Sequence, residues 1–227
     1  MYDVFFISYK EPNCEENWKR VLTLHPEAKR IDKIQGIDTA HMICHDMSNT
    51  DKFWTIDGDN WLFKKLDFQF DTDKLIFLNS LDVIDGVVSS VGSVKLWTKD
   101  SLINTNMSKG DFCKNATKEY QVIDVIASEH RYNTTINSTW KTCFRHMVKC
   151  YSGIITHEVL AQNIQRYKNF EYYDDGKNNA IWGYRAFLDA GEYVKKCDGN
   201  FNEINLINNY DWLETKFNAC VVDWQKL

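Results

Sequence analysis

The chain opens on an apolar run without alternation, DVFFISY (3–9), the pattern of a strand buried on both faces. The EPN that follows breaks it. Asn13 then stands where an N-cap belongs, with Glu16 three positions on as in a capping box. Cys14, Trp18, Val21 and Leu22 recur at helical spacing and predict an amphipathic helix with one buried stripe. AKRIDKIQGI (28–37) predicts a second strand and a glycine turn, and Ala40, Ile43, Cys44 and Met47 mark a second helix. KFWTIDGD (52–59) is then a third strand. Strand–helix–strand–helix–strand in under sixty residues implies right-handed crossovers and a parallel sheet covered on both faces.

KLIFLNS (74–80), GVVSSVGSVKLW (86–97) and QVIDVIASEHRYNTTI (121–136) predict further strands with some meander. The last third is helical. Trp140, Cys143, Phe144, Met147, Val148 and Tyr151 form an unbroken helical stripe, and helices are predicted over 156–168, about 179–195 and within 205–217. The expected fold class is therefore α/β, a mostly parallel, Rossmann-like central sheet flanked by helices with a helical C-terminal third. No linker or repeat divides the 227 residues, so one domain, 1–227, is expected.

Composition narrows the classes of partner. A net charge of −5 excludes a global basic field, so any nucleic-acid contact needs a local patch. Seven cysteines without a C-x-x-C pair suggest reduced thiols. The opening MYDVFFISYKEPN has no basic n-region, and no apolar stretch is long enough to span a bilayer. The expectation is a cytoplasmic protein without a membrane contact.

In open α/β sheets ligands bind at the carboxyl ends of the strands. Ser8, Tyr9, Gly36, Asp57 and Asp59 all fall there. Asp57-Gly58-Asp59 ends a buried strand, whereas Asp71-Thr72-Asp73 follows LDFQF as a surface turn. Two carboxylates separated by a glycine suit one hard cation, Mn²⁺ or Mg²⁺, bridging the phosphates of a sugar diphosphate. His157 is a candidate third ligand. Walker and G-x-G-x-x-G loops are absent, which weighs against kinases and dehydrogenases. The expected catalytic residues are His146, Glu129 and Arg145, with His130 a further candidate for the base that takes an acceptor proton. Lys141, Arg145 and Lys149 line one helix face, suited to phosphates but also to plain solvation. Tyr132, Tyr172, Tyr173 and Trp182 are candidates to stack on a flipped base.

Seven segments in this order and spacing, FFISYKEPNCEENW, AKRIDKIQGIDTAH, FWTIDGDN, GSVKLWTKD, TTINSTWKTCFRHMVK, WGYRAFLDAGEYV and INNYDWLETKF, make the chain similar to glycosyltransferases of the GT-A fold. It most resembles the phage-type, TET/JBP-associated glycosyltransferases that modify hydroxymethylated pyrimidines in DNA. The resemblance implies a metal-dependent transfer of glucose or arabinose from a UDP-linked donor to 5-hydroxymethylcytosine in phage DNA. The alternatives are a glycan or protein acceptor, or an inactive nucleotide-sugar-binding module. By the same resemblance Ser8, Tyr9, Lys33, Gly36 and His41 hold the nucleotide, and Asp57 and Asp59 hold metal and diphosphate. Gly92, Lys95 and 140–145 line the sugar and acceptor cleft, and Trp140, Lys141 and Lys149 meet the acceptor. Residues 1–100 would form the nucleotide-sugar half and 101–227 the acceptor half. Two departures stand out: Val91-Gly92 replaces the family's Gly-Gly, and Phe144-Arg145-His146 replaces Phe-Arg-Glu.

Overall fold

Val4, Phe5 and Phe6 are consecutive and all buried, because their strand, β1 (Asp3–Ser8), is covered on both faces. Alternation across the pleat sends Val4 and Phe6 into one core and Phe5 into another. β3 (Lys52–Asp57) splits the same way, Trp54 and Ile56 joining the first core and Phe53 the second. Helix α1 (Cys14–Leu24) closes the first with Cys14, Trp18 and Val21, and α2 (Ile37–Met47) closes the second with Ala40 and Cys44. A computed structural model of the chain describes residues 1–90, 92, 94–103, 111–116, 119–155 and 159–224. They group into two compact units, Met1–Arg131 and Tyr132–Leu227.

In the first unit β1 pairs in parallel with β2 (Lys29–Asp32) and with β3, as the crossover pattern implies. The expectation of a mostly parallel sheet is not met beyond this. β4 (Asn60–Leu62), β5 (Leu75–Asp82), β6 (Val88–Ser89), β7 (Lys95–Thr98) and β8 (Tyr120–His130) extend it to eight strands among the described residues. The path is β2-β1-β3-β7-β5-β8-β4, with β6 beside β5. β5–β8 is parallel, whereas β3–β7, β5–β7, β5–β6 and β4–β8 are antiparallel. After β5 the chain turns on Gly86, at φ 70°, into β6 beside it, and β7 then pairs with β5 antiparallel. The unit is α/β with a mixed, curled sheet. Helices α3 (Lys99–Ile103) and α4 (Phe112–Ala116) follow β7, and Leu102 and Phe112 join the second core.

Curling follows from chain length. Only Gly58 and Asp59 separate β3 from β4, yet the two strands stand four steps apart in the path. Four steps in a flat sheet measure about 19 Å. A two-residue link spans at most about 11 Å. The sheet must bend back until β4 returns to the end of β3, with Asp57-Gly58-Asp59 as the closing corner.

The second unit is helical: α5 (Ile136–Tyr151), α6 (Leu160–Tyr173), α7 (Ala180–Cys197), α8 (Phe201–Asn205), a 3₁₀ turn (Leu206–Asn208) and α9 (Tyr210–Trp224). The stripe expected on α5 is its buried face: Trp140, Cys143, Phe144, Met147 and Val148 are all enclosed. Gly183 on α7 admits the Phe170 ring, which lies 2.5 Å from where a Cβ would stand. Boundaries shift elsewhere. The strand expected over 121–136 stops at His130, because Thr135 and Ser138 form a capping box that starts α5. Asn13 makes no such cap on α1; its amide is drawn away to donate to the Arg131 carbonyl at 2.9 Å. Among the described residues no helix is long and apolar enough to cross a membrane.

Candidate functional site

The carboxyl ends of β1, β2 and β3 gather a polar cluster in the first unit. Ser8 Oγ donates to Asp32 Oδ1 at 2.7 Å and accepts from Arg30 Nε at 3.0 Å. The Ser8 hydrogen bond holds the Asp32 carboxyl below its ordinary range. Lys33 follows in a left-handed conformation, φ 60°, its amide bonded to the Ser8 carbonyl and its side chain exposed. The Tyr9 amide donates to Glu11 Oε2 at 2.5 Å. That same Glu11 oxygen lies 2.6 Å from where a Cβ on Gly58 would stand, so any side chain at the corner would have to displace the Glu11 carboxylate. Asn17, fully buried on α1, donates to the Gly58 carbonyl at 2.8 Å.

The two carboxylates of the corner differ. Asp57 points its Oδ2 at Lys95 Nζ, 3.0 Å away, from the start of β7. Burial works against the Lys95 charge, but Asp57 beside it holds the ammonium pKa above its usual value. Asp59 turns inward. Its Oδ2 lies 3.1 Å from His130 Nε2, and its Oδ1 accepts from Asn60 at 3.2 Å. Burial would raise the Asp59 carboxyl, yet the His130 charge and hydrogen bond keep it low. Burial opposes protonation of His130 in the same way, and Asp59 reverses this, raising the imidazole pKa. The antiparallel β4–β8 register, which sets Asn60 opposite His130, brings this pair together.

Asn60 ties the corner to its surroundings. Wholly buried, it donates to the Gly92 carbonyl at 2.7 Å and accepts from Ser128 Oγ at 2.7 Å. Gly92 sits at φ 66° with the His130 ring where its side chain would be. Glu129, one residue before His130, is held by the Arg131 guanidinium, which also lies over the Trp61 ring at 4.3 Å.

A divalent cation at this corner depends on which carboxylate oxygens remain open. Both Asp59 oxygens accept hydrogen bonds from protein groups. Asp57 commits one oxygen to Lys95, and 32% of its side chain is exposed. Among the described residues no three His, Cys, Asp or Glu side chains form a metal-holding group. One open carboxylate oxygen fits a small hard cation that keeps its waters and takes further ligands from substrate phosphates. It does not fit a metal caged by protein alone. His157 lies outside the described residues.

His41, expected beside the nucleotide, is enclosed against the rings of Trp97 and Phe112, with centroids at 5.0 and 4.7 Å. Its Nδ1 lies 2.7 Å from the Ile37 carbonyl, which requires the proton there, and Nε2 is buried without a partner. Burial lowers its pKa to about 4. Gly36, at φ 97°, is the N-cap residue of α2.

The remaining candidates belong to the second unit. Trp140 is fully buried, stacked on Phe144 at 4.4 Å with its indole donating to Asp189 at 2.7 Å. Its rings are core and offer no face to an acceptor. His146 is buried too, Nδ1 lying 2.8 Å from the Tyr167 hydroxyl. Arg145 donates to the Ile207 carbonyl at 2.9 Å and lies over Tyr210 at 5.2 Å. Lys141 lies over the same ring at 4.8 Å, and Lys149 is half-buried near the end of α5. Tyr132 is buried, whereas Tyr172 and Tyr173 are exposed. Trp182 packs on Phe217 and under Arg185.

Sequence reasoning missed Arg30, Asp32, Asn17 and the partnership of each corner carboxylate. Asp32 carried a usable signal, an acid at the carboxyl end of the second strand. Comparison of the chain with protein-family models and with curated proteins gives no match.

Proposed function

We propose that the chain is a divalent-cation-dependent glycosyltransferase of GT-A type that takes a nucleoside-diphosphate sugar, UDP-linked, and glycosylates 5-hydroxymethylcytosine in DNA. The observation that carries the donor half is Asp57: a partly exposed carboxylate at a parallel strand's carboxyl end, with a buried ammonium on one oxygen. A carboxylate and an ammonium side by side suit a diphosphate that arrives with a cation, the first meeting the metal and the second a phosphoryl oxygen. Asp57 would hold the cation, which when bound offsets the charge gathering on the departing diphosphate. Lys95 neutralises the same phosphates from the protein side. Asp59 and His130 fix the corner from behind, and Gly58 lets the backbone approach closely. The DNA acceptor rests on the resemblance of the ordered segments.

The test is a screen of UDP-glucose, UDP-arabinose and other nucleotide sugars with hydroxymethylated and unmodified DNA, with and without Mn²⁺, read as mass gain on the base. Transfer to hydroxymethylated DNA alone supports the reading. Transfer to a glycan or protein instead moves the acceptor, and no turnover with any donor sinks the enzyme. A DNA acceptor also predicts a rate that falls steeply with salt, as counterions are released on binding.

A further inference from the structure

Lys95 is an unusual neighbour for a carboxylate meant to receive a cation. Its backbone is fixed in the sheet, opposite Thr55 on β3 and Phe77 on β5. Its side chain is only 10% exposed, and its ammonium lies 3.0 Å from Asp57 Oδ2. A buried ammonium persists where a carboxylate compensates it. Asp57 faces Lys95 at 3.0 Å and Asp59 faces His130 at 3.1 Å, so each corner carboxylate is already engaged by a protein group.

That balance is disturbed by either ligand alone. A divalent cation at the open oxygen of Asp57 adds two positive charges beside the ammonium. A diphosphate adds negative charge beside two carboxylates. Only the two together restore neutrality, provided the ammonium can move. A lysine can do this: a compact charge on a flexible four-carbon stem, with three donors to redirect.

We propose that Lys95 is a resident counter-ion that pairs with Asp57, leaves it when a divalent cation arrives, and turns to the donor's diphosphate. The inference rests on the reading of Asp57 as the cation ligand. It makes metal and Lys95 competitors for one carboxylate, and Lys95 and metal joint partners of the phosphates.

The signature is a pair of opposite changes. In Lys95→Met, Mn²⁺ measured without nucleotide, from the free-ion paramagnetic resonance signal, should bind at least about fivefold tighter, while UDP without metal binds at least about tenfold weaker. Lys95→Arg, which keeps the charge, should hold UDP within about threefold of the native chain. A merely structural lysine would weaken both ligands together, or neither. Melting supplies a second reading: in chelator Lys95→Met should melt lower than the native chain, and Mn²⁺ should raise it by more degrees. If the variant folds only with Mn²⁺, that rescue is the same result. Unchanged Mn²⁺ affinity, joint loss of both ligands, or no rescue overturns the exchange. If the native chain binds UDP with Mn²⁺ and Lys95→Met is indistinguishable from it, the exchange alone fails. If the native chain binds neither UDP nor Mn²⁺, the donor-site reading fails and takes the exchange with it.

Discussion

The imidazole of His130 fills the space that any side chain on Gly92 would need, its nearest atom 2.5 Å from the ideal Cβ position. Gly92 also lies at φ 66°, where L residues are strained. Gly86 shares that strain at φ 70° but has open space around it. Gly86→Ala should therefore cost about 1–2 kcal/mol. Gly92→Ala should cost about 1–3 kcal/mol more, because a ring or a backbone must move. Urea midpoints of the two variants measure the difference, and equal midpoints would contradict the packing of His130 on this glycine.

Asn60 joins β4 to β8 and to the turn at Gly92 through its amide, and its loss leaves the Gly92 carbonyl and the Ser128 hydroxyl without those hydrogen bonds. Asn60→Ala should destabilise the chain by about 2–4 kcal/mol, since each buried polar group left unmade costs about 1–3. The double variant Asn60→Ala/Ser128→Ala should cost less than the sum of the singles, because one hydrogen bond is removed only once. Chemical denaturation tests both statements.

The corner carboxylates should respond differently to the same substitution. Asp59→Asn removes the carboxylate that faces the buried His130 ring and should cost about 3–5 kcal/mol of stability. Asp57→Asn removes the open metal ligand and should lower transferase turnover at least about 100-fold. It also takes the counter-charge from Lys95, but Asp57 is partly exposed, so the loss of stability should be smaller than for Asp59→Asn. Melting curves and turnover measured on both variants separate the roles. Equal losses of stability would deny that Asp59 is the anchored member.

His41 makes stability depend on pH with a definite sign. Its folded pKa is about 4 against 6.5 for the free group, so between those values the unfolded chain binds a proton that the folded chain does not. The contribution is full above pH 6.5 and is lost as pH falls toward 4. Across that window it amounts to about 3 kcal/mol. His41→Gln, which cannot titrate, should flatten the acid limb by that amount in denaturation series from pH 7.5 to 4. An unchanged slope would mean that the imidazole is not buried in its neutral form.

The parts of the fold legible in the sequence are those whose pattern is local. The runs in β1 and β3 read as strands because both faces are buried, and the α5 stripe read as a helix because its core side chains lie on one face. Strand direction was not legible beyond the first three strands. Nothing in the residues of β7 or β8 names the neighbour that decides whether a strand runs parallel. The corner itself was legible as two acids on a buried strand end. Its asymmetry was not, because Lys95 and His130 arrive from 38 and 71 positions away. Asn13 misled for the same reason: a residue suited to a local cap was recruited by Arg131, 118 positions on.

The two-residue link between β3 and β4 also bears on how the chain matures. During synthesis Asp57 and Asp59 leave the ribosome together, before the groups that pair with them in the fold. Lys95 is made 38 residues after Asp57, and His130 comes 71 residues after Asp59, once β8 exists for β4 to pair with. A fragment ending near residue 100 would own both acids but leave β4 an orphan and Asp59 without its imidazole. The acidic corner is thus translated well before the groups that complete it.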